Sequence, residues 1–441
     1  MANTYLYRTP SSAGNRKTWT WSAWIKLSDV GVETPFFATP VSTNDTGWFS
    51  IRLNGNSVVI VGLYNTNFIV TNRRLRDTNG WYNICVSFDS TNSTASDRCK
   101  LFINGVRETS FANSSNPTLN QDYNMNNNVF HSIGEEGNTF FNGSMSHVHF
   151  IDGTAYDASA FGSFDNDTGE WSINTSPSVT YGTNGFFIFK DGNSVTDQSG
   201  NSNNFTVSGN LTKTEDCPSN VFATMNPLHK SLNTDRSFAN GNTYVVLGGT
   251  ARVPEVSTLG MTSGKFYAEA KVTGGSGGNS IFGITGEMHR SNATDYLGTD
   301  AYDYSYLGGT GNKINTNNDS SYGATYTTGD IIGIAVDLDN LKIYFSKNGV
   351  WQNSGDPTSG ATGTGSAFTI ASPSSTNDGA YFFACSDDNA YAEQRVAWNF
   401  GNGDFSGNGI TSAGTNASGN GIFEYDVPTG YTALSTKGLN L

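Results

Sequence analysis

Apolar and polar residues alternate along this chain at period two, in short runs bounded by Gly, Asn, Asp and Ser, and apolar residues rarely recur at helical spacing. The pattern predicts an all-β protein. In the first clear strand, TWTWSAWIKL, Trp19, Trp21, Ala23, Ile25 and Leu27 share one face and Thr18, Thr20, Ser22, Trp24 and Lys26 the other, which reads as one core face and one wet face. Further strands are predicted at Trp48 to Leu53, Val58 to Leu63, Trp81 to Phe88, Cys99 to Ile103, Val129 to Ile133 and Met145 to Ile151. In the second half, GDIIGIAVDLDNLKIYFSKNGV predicts a hairpin: Ile332, Ile334, Val336 and Leu338 face one way, Asp339-Asn340 turns, and Leu341, Ile343 and Phe345 return on the same face. Many short strands between turn signals describe two tandem antiparallel β-sandwiches.

The alternation lapses between residues 190 and 240, where the Cys217-Pro218 and Asn226-Pro227 steps force extended backbone before each proline. We therefore expect a first domain at 1–213, a linker at 214–240, a second domain at 241–405, and a tail at 406–441 packing on the second domain or on a neighbour.

Composition supports a globular chain. Of 441 residues 8 are Trp, 20 Tyr and 28 Phe, enough for buried cores, while only 14% are charged. The net charge of −14 opposes binding to phosphate backbones or anionic lipid, so neither nucleic acid nor membrane insertion is an expected partner. No apolar run is long enough to span a bilayer, and the opening MANTYLYRTPSSAGNRK lacks a secretory leader, so synthesis in a cytoplasm is expected. The four cysteines form no Cys-x-x-Cys pair, and strand parity places Cys85 outward and Cys99 inward, against a disulfide between them.

Enzyme chemistry finds little purchase. A glycosidase needs two carboxylates across the scissile bond, and the adjacent Glu135 and Glu136 point to opposite sides of an extended strand. His147 and His149 stand at i, i+2 on a strand whose inward set reads as Ser146, Val148 and Phe150, leaving both imidazoles on an exposed face. The run GGSGG at 274–278 lacks the Lys-Ser/Thr of a phosphate loop and reads as a hairpin tip. Tyr302, Tyr304 and Tyr306 line up at period two in DAYDYSYLGG, as either half-core packing or a stacking platform for sugar rings, and Trp351 beside a turn is a second ligand-contact candidate.

TWSAWIKL, GWYNICVSFD, KLFINGVRE and FNGSMSHVHFIDGTAYD resemble, in order, the strand motifs of laminin G-like, concanavalin A-like jelly rolls over roughly residues 1–213. SGKFYAEAKV, SIFGITGE, GDIIGIAVDLDNLKIYFSKNG and VAWNFGNGDF look like a SPRY domain over about 240–405. The opening YLYRTPSSAGNRKTWTWSAWIK, the joining CPSNVFATMNPL and the closing FEYDVPTGYTALSTKGLNL are similar to bacteriophage virion proteins of the tail-fibre or capsid-appendage kind. These resemblances imply a non-enzymatic virion component, oligomeric or in many copies, contacting other virion proteins and a host-surface glycan or protein. The laminin G likeness also implies a calcium site at a sheet rim, for which Asp165 and Asp167 of DNDTG are the candidates against an ordinary Asx turn, with no other cofactor expected. In a purely architectural protein, Tyr5, Leu6 and Tyr7, or Phe423, Tyr425 and Tyr431, would instead dock onto neighbouring subunits.

Overall fold

The computed structural model describes residues 3–190, 195–229, 232, 235–248, 251–275, 277–388 and 393–440. It divides into two compact units, 1–211 and 212–441, and the strands of each form two large sheets. Ser276 of the glycine-rich run lies outside the described residues.

In the first unit an eight-stranded sheet runs in the order Phe111–Ser114, Asn67–Arg74, Val58–Gly62, Ser50–Leu53, Thr34–Ala38, His131–Ile133, Tyr5–Arg8, Thr206–Ser208. The six-stranded sheet runs Phe186–Ile188, Gly143–Asp152, Thr18–Leu27, Tyr82–Asp89, Cys99–Ile103, Val106–Arg107, and every pairing in both is antiparallel. Period-two alternation puts Trp19, Trp21, Ala23, Ile25 and Leu27 into one core with Phe37, Ile51, Val59 and Val61. Trp19 stacks on Phe88 at 4.8 Å and 8° between planes.

The face of Thr18–Leu27 expected to be wet is dry. Thr20, Ser22, Trp24 and Lys26 are all buried. The chain after Asp152 returns across that face: Thr20 Oγ1 donates to the Thr154 carbonyl at 2.8 Å, and Ala158 and Phe161 pack with Cys85, Phe102 and Ile151. Cys85 therefore points away from the main core, as parity required, yet is buried. Cys99 lies in the main core, where burial pushes its thiol up to about 12, and both are free thiols.

In the second unit a nine-stranded sheet has the path Ser237–Ala239, Tyr244–Leu247, Gln394–Asn399, Lys265–Gly275, Ile331–Asp337, Lys342–Lys347, Val350–Trp351. Its partner runs Glu255–Val256, Phe382–Asp387, Ser280–Thr285, Asp303–Leu307, Asn312–Asn315, Asn318–Ser321. Ile332, Ile334, Val336, Leu338, Ile343 and Phe345 all enter the core, but the hairpin turn is longer than the two residues expected. Asp337 pairs with Lys342, so the loop runs from Leu338 to Leu341, and Leu341 takes a positive φ of 56°. The Asp337 carboxylate accepts the Asn340 amide at 2.9 Å and closes the turn early.

The segment expected to be a linker does not stand apart, and the tail packs on the second domain. Phe222, Ala223 and Met225 are buried, and Ser237–Ala239 is an edge strand on Tyr244–Leu247. The tail adds Thr432–Ala433 in parallel to Lys265–Gly275 and buries Phe423, Tyr431 and Leu434. A buried carboxylate holds it: Glu269 accepts the Glu424 and Tyr425 amides, each at 2.9 Å, the Tyr267 hydroxyl at 3.1 Å and the Asn399 side-chain amide at 3.2 Å. Burial pushes this carboxyl up to about 7 against the pull of those four donors. Phe423 and Tyr431 thus fill their own domain and are not free to dock elsewhere. No helix among the described residues is long and apolar enough to cross a membrane.

Candidate functional site

Of the three tyrosines read as either core packing or a sugar platform, Tyr304 and Tyr306 are buried in the core. Tyr306 is fully buried among Tyr322, Tyr326 and Phe345, at centroid distances of 5.6, 5.0 and 5.5 Å, and its hydroxyl donates to the Ala324 carbonyl. Tyr304 packs on Phe368 and Tyr381, and its hydroxyl accepts the Ala371 amide at 3.0 Å. Tyr302 is half-buried and leans on the same core. The alternate positions are covered too: Asp303 is buried and paired with Arg290 Nη2 at 2.7 Å, and Leu307 joins Ile281 and Ile314 in a second cluster. With both faces covered, the strand keeps no ring free for a ligand. Trp351 is half-buried, edge-on to Tyr267 at 6.3 Å, in the cluster that also receives Phe423 and Tyr431.

His147 and His149 are buried rather than exposed. The sheet register shifts between Ser146 and His149, and His147 sits at φ 48°, a bulge that leaves Val148 and Phe150 in the core. His149 stacks on Phe187 at 4.0 Å and Nδ1 pairs with the Tyr181 hydroxyl at 2.9 Å, while His147 Nδ1 pairs with Ser146 Oγ at 2.8 Å. Desolvation under the covering chain holds His149 well below the usual imidazole range. The two rings do not converge on a shared open site. Glu136 is buried beside Arg52 at 3.2 Å and accepts Trp48 Nε1 at 2.6 Å, whereas Glu135 accepts the Asn138 amide at 3.1 Å, so these neighbouring carboxylates serve separate contacts.

Asp165 and Asp167 occupy the tip of a hairpin made by Gly162–Phe164 and Trp171–Ile173. Asp165 Oδ1 accepts the Thr168 amide (2.7 Å), the Asp167 amide (3.0 Å) and Thr168 Oγ1 (3.0 Å), the pattern of an Asx turn, and these donors hold its carboxyl below the usual range. Asp167 contributes its amide to the turn. Among the described residues no three His, Cys, Asp or Glu side chains gather closely enough to hold a metal ion, so the geometry here accounts for Asp165 as a turn cap.

At the base of that turn lies a feature the strand pattern missed. Phe164 and Trp171 are directly opposite across the hairpin, with ring centroids 4.9 Å apart at 67°. Trp171 lies over Gly105 and Gly162, where any Cβ would enter its ring, and its Nε1 donates to Asn83 Oδ1 at 3.3 Å. It is thereby fixed as the support for Phe164, which is 49% exposed. The sequence signal was an aromatic on each side of DNDTG, which period-two counting over so short a hairpin does not weigh.

Comparison with known proteins agrees with the two sandwiches. Residues 2–159 match the concanavalin A-like lectin/glucanases superfamily in its Laminin_G_3 description, and residues 265–386 match the SPRY domain. The chain is 36% identical over 89 residues to a Ran-binding proteins 9/10 homolog of Drosophila melanogaster, covering 20% of this chain and 9% of that protein. It is 34% identical over 149 residues to the ATP-dependent RNA helicase DDX1 of Xenopus laevis, covering 34% of this chain and 17% of that one. The chain thus spans less than a fifth of the length of the curated relatives it matches. A crystal structure of the SPRY domain of human HERC1 aligns at 16% identity with a TM-score of 0.29, over 40% of this chain and 96% of that one.

Proposed function

We propose that this tandem of a laminin G-like, concanavalin A-like domain and a SPRY domain is a non-enzymatic binding protein displayed on a phage particle, contacting a glycan or protein on the host surface. The observation that carries the reading is the Phe164–Trp171 pair: a half-exposed ring on a hairpin that is propped by a second ring, two glycines and a hydrogen bond. Rigid support of an exposed aromatic lowers the ordering cost of binding, which favours recognition by a hairpin of this build. The phage assignment draws on the sequence likenesses at the opening, the joining segment and the tail. The acidic, Asn- and Gly-rich composition suits a protein displayed in many copies, where weak contacts add through avidity.

The test is retention of the fluorescently labelled 441-residue chain on a panel of bacterial cells and on polysaccharides extracted from them. Strain-dependent retention that falls several-fold in Phe164→Ala, with an unchanged melting curve, supports the reading, as does labelling of intact particles by antibodies against the chain. Absence of retention on every strain moves the assignment to the architectural alternative. That alternative rests on Tyr5 and Tyr7, which remain partly exposed on the amino-terminal strand.

A further inference from the structure

On the eight-stranded sheet of the first unit, away from the Phe164 hairpin, four aromatic rings form a continuous row. Phe130 lies 5.8 Å from Tyr7, Tyr7 5.9 Å from Tyr5, and Tyr5 6.0 Å from Phe140, centroid to centroid. All four are partly exposed. The strand Tyr5–Arg8 explains the row. Leu6 is buried in the main core, so Tyr5 and Tyr7 point to the outer face, and i, i+2 spacing sets one ring beside the next. Phe130 and Phe140 extend the row from the chain just before His131–Ile133 and from the short Thr139–Phe140 strand.

The surroundings select a ligand. Along the sheet edge, Thr206 stands opposite Tyr7 and Ser208 opposite Tyr5, so hydroxyl side chains share the face with the rings. Glu135 stands opposite Phe140 and brings a carboxylate to one end. Among the described residues, Arg8 and Arg52 are engaged elsewhere. Arg8 turns inward over the Phe205 ring and donates to the Asn184 carbonyl and to Asn203, while Arg52 is held between Glu33 and Glu136.

We propose that this row is an extended binding subsite for a neutral polysaccharide, with pyranose rings laid along Phe130, Tyr7, Tyr5 and Phe140 and their hydroxyls met by Thr206, Ser208 and Glu135. Aromatic faces stack on the apolar faces of sugar rings, and successive rings at a spacing comparable with one sugar residue suit a chain rather than a single sugar. Among the described residues the row carries one carboxylate and no cation of its own, which opposes a polyanion, and a nucleic acid for the same reason. The inference deepens the binding reading given above and rests on it, but names a different surface.

Affinity electrophoresis and calorimetry of the full chain against soluble mannan, dextran, galactomannan, mixed-linkage β-glucan and a sulfated glycan test the assignment. Binding to at least one neutral polymer is expected, insensitive to NaCl, reduced at least tenfold in Tyr5→Ala/Tyr7→Ala and kept in Tyr5→Phe/Tyr7→Phe. Tyr5→Leu/Tyr7→Leu, which keeps apolar volume but loses the flat faces, is expected to melt with wild type and still lose binding. Cell retention that persists in the alanine and leucine variants overturns the row and leaves the binding reading standing. Salt-sensitive preference for the sulfated polymer, or a stable dimer that dissociates in the leucine variant, overturns the glycan and assigns the face to a polyanion or to a second copy. Failure of the wild type to bind any polymer or cell overturns both.

Discussion

The two sandwiches treat the same sequence motif in opposite ways. Tyr5-Leu6-Tyr7 in the first and Tyr304-Ser305-Tyr306 in the second both set tyrosines at period two, yet the first pair is partly exposed on an outer face and the second is buried. The residue between decides part of the difference. Leu6 takes the core and turns its neighbours outward, whereas Ser305 takes the far side, with its hydroxyl donated to the Leu297 carbonyl at 2.9 Å, and leaves the core to the rings. Sheet position decides the rest: Tyr5–Arg8 lies one strand from the edge, while Asp303–Leu307 is covered on both faces. A tyrosine row is therefore a surface or a core according to what occupies the alternate positions, and only the former can serve a ligand.

Substitution sharpens this contrast most strongly at Tyr306. Tyr306→Ala empties a site among three rings and should cost about 3–5 kcal/mol, whereas Tyr7→Ala should cost under about 1 kcal/mol. Urea melts followed by tryptophan fluorescence compare them, and equal losses would erase the distinction between the rows.

Removing the tail's anchor comes next. Glu269→Ala strips the acceptor from two backbone amides and is expected to cost about 2–3 kcal/mol, read as faster hydrogen exchange at Glu424 and Tyr425. Unchanged protection there would show that Phe423, Tyr431 and Leu434 hold the tail unaided.

The sandwiches should also answer pH in opposite directions. In the first, His131 Nε2 accepts the Asn126 amide at 3.0 Å, and burial lowers the imidazole from 6.5 to about 4. The unfolded chain then binds more protons between those values, so this domain loses stability as pH falls from about 6.5 towards 4. In the second, Glu269 is raised from 4.5 to about 7, so the folded state binds the extra proton and stability declines as pH rises through that interval. Hydrogen exchange on the full chain at pH 5 and pH 8, resolved by domain, checks both signs. Parallel responses in the two domains would remove either His131 or Glu269 as the controlling group.

The smallest effect is expected at the hairpin tip, where Asp165→Ala loosens an exposed turn and should leave the melting temperature within error. A calcium-dependent rise in that temperature, abolished by the substitution, would restore the metal role to Asp165 and Asp167.

Much of the fold was legible because a half-buried strand writes its burial into alternate residues: Trp19 through Leu27 and Ile332 through Phe345 could be assigned to a core from spacing alone. The site was less so. Phe164 and Trp171 lie on strands too short for periodicity to register, and Phe130 and Phe140 join Tyr5 and Tyr7 only through pairing between distant segments. What the sequence determined by itself was the β class, the two-sandwich order and the opposite facing of Cys85 and Cys99, since each follows from local alternation and the fixed pleat of a strand. What only the tertiary structure decided was which outer faces stay outside. The chain after Asp152 covers one face of Thr18–Leu27 and buries His149, and the tail closes over Glu269, because coverage by a remote segment leaves no mark on the residues beneath it.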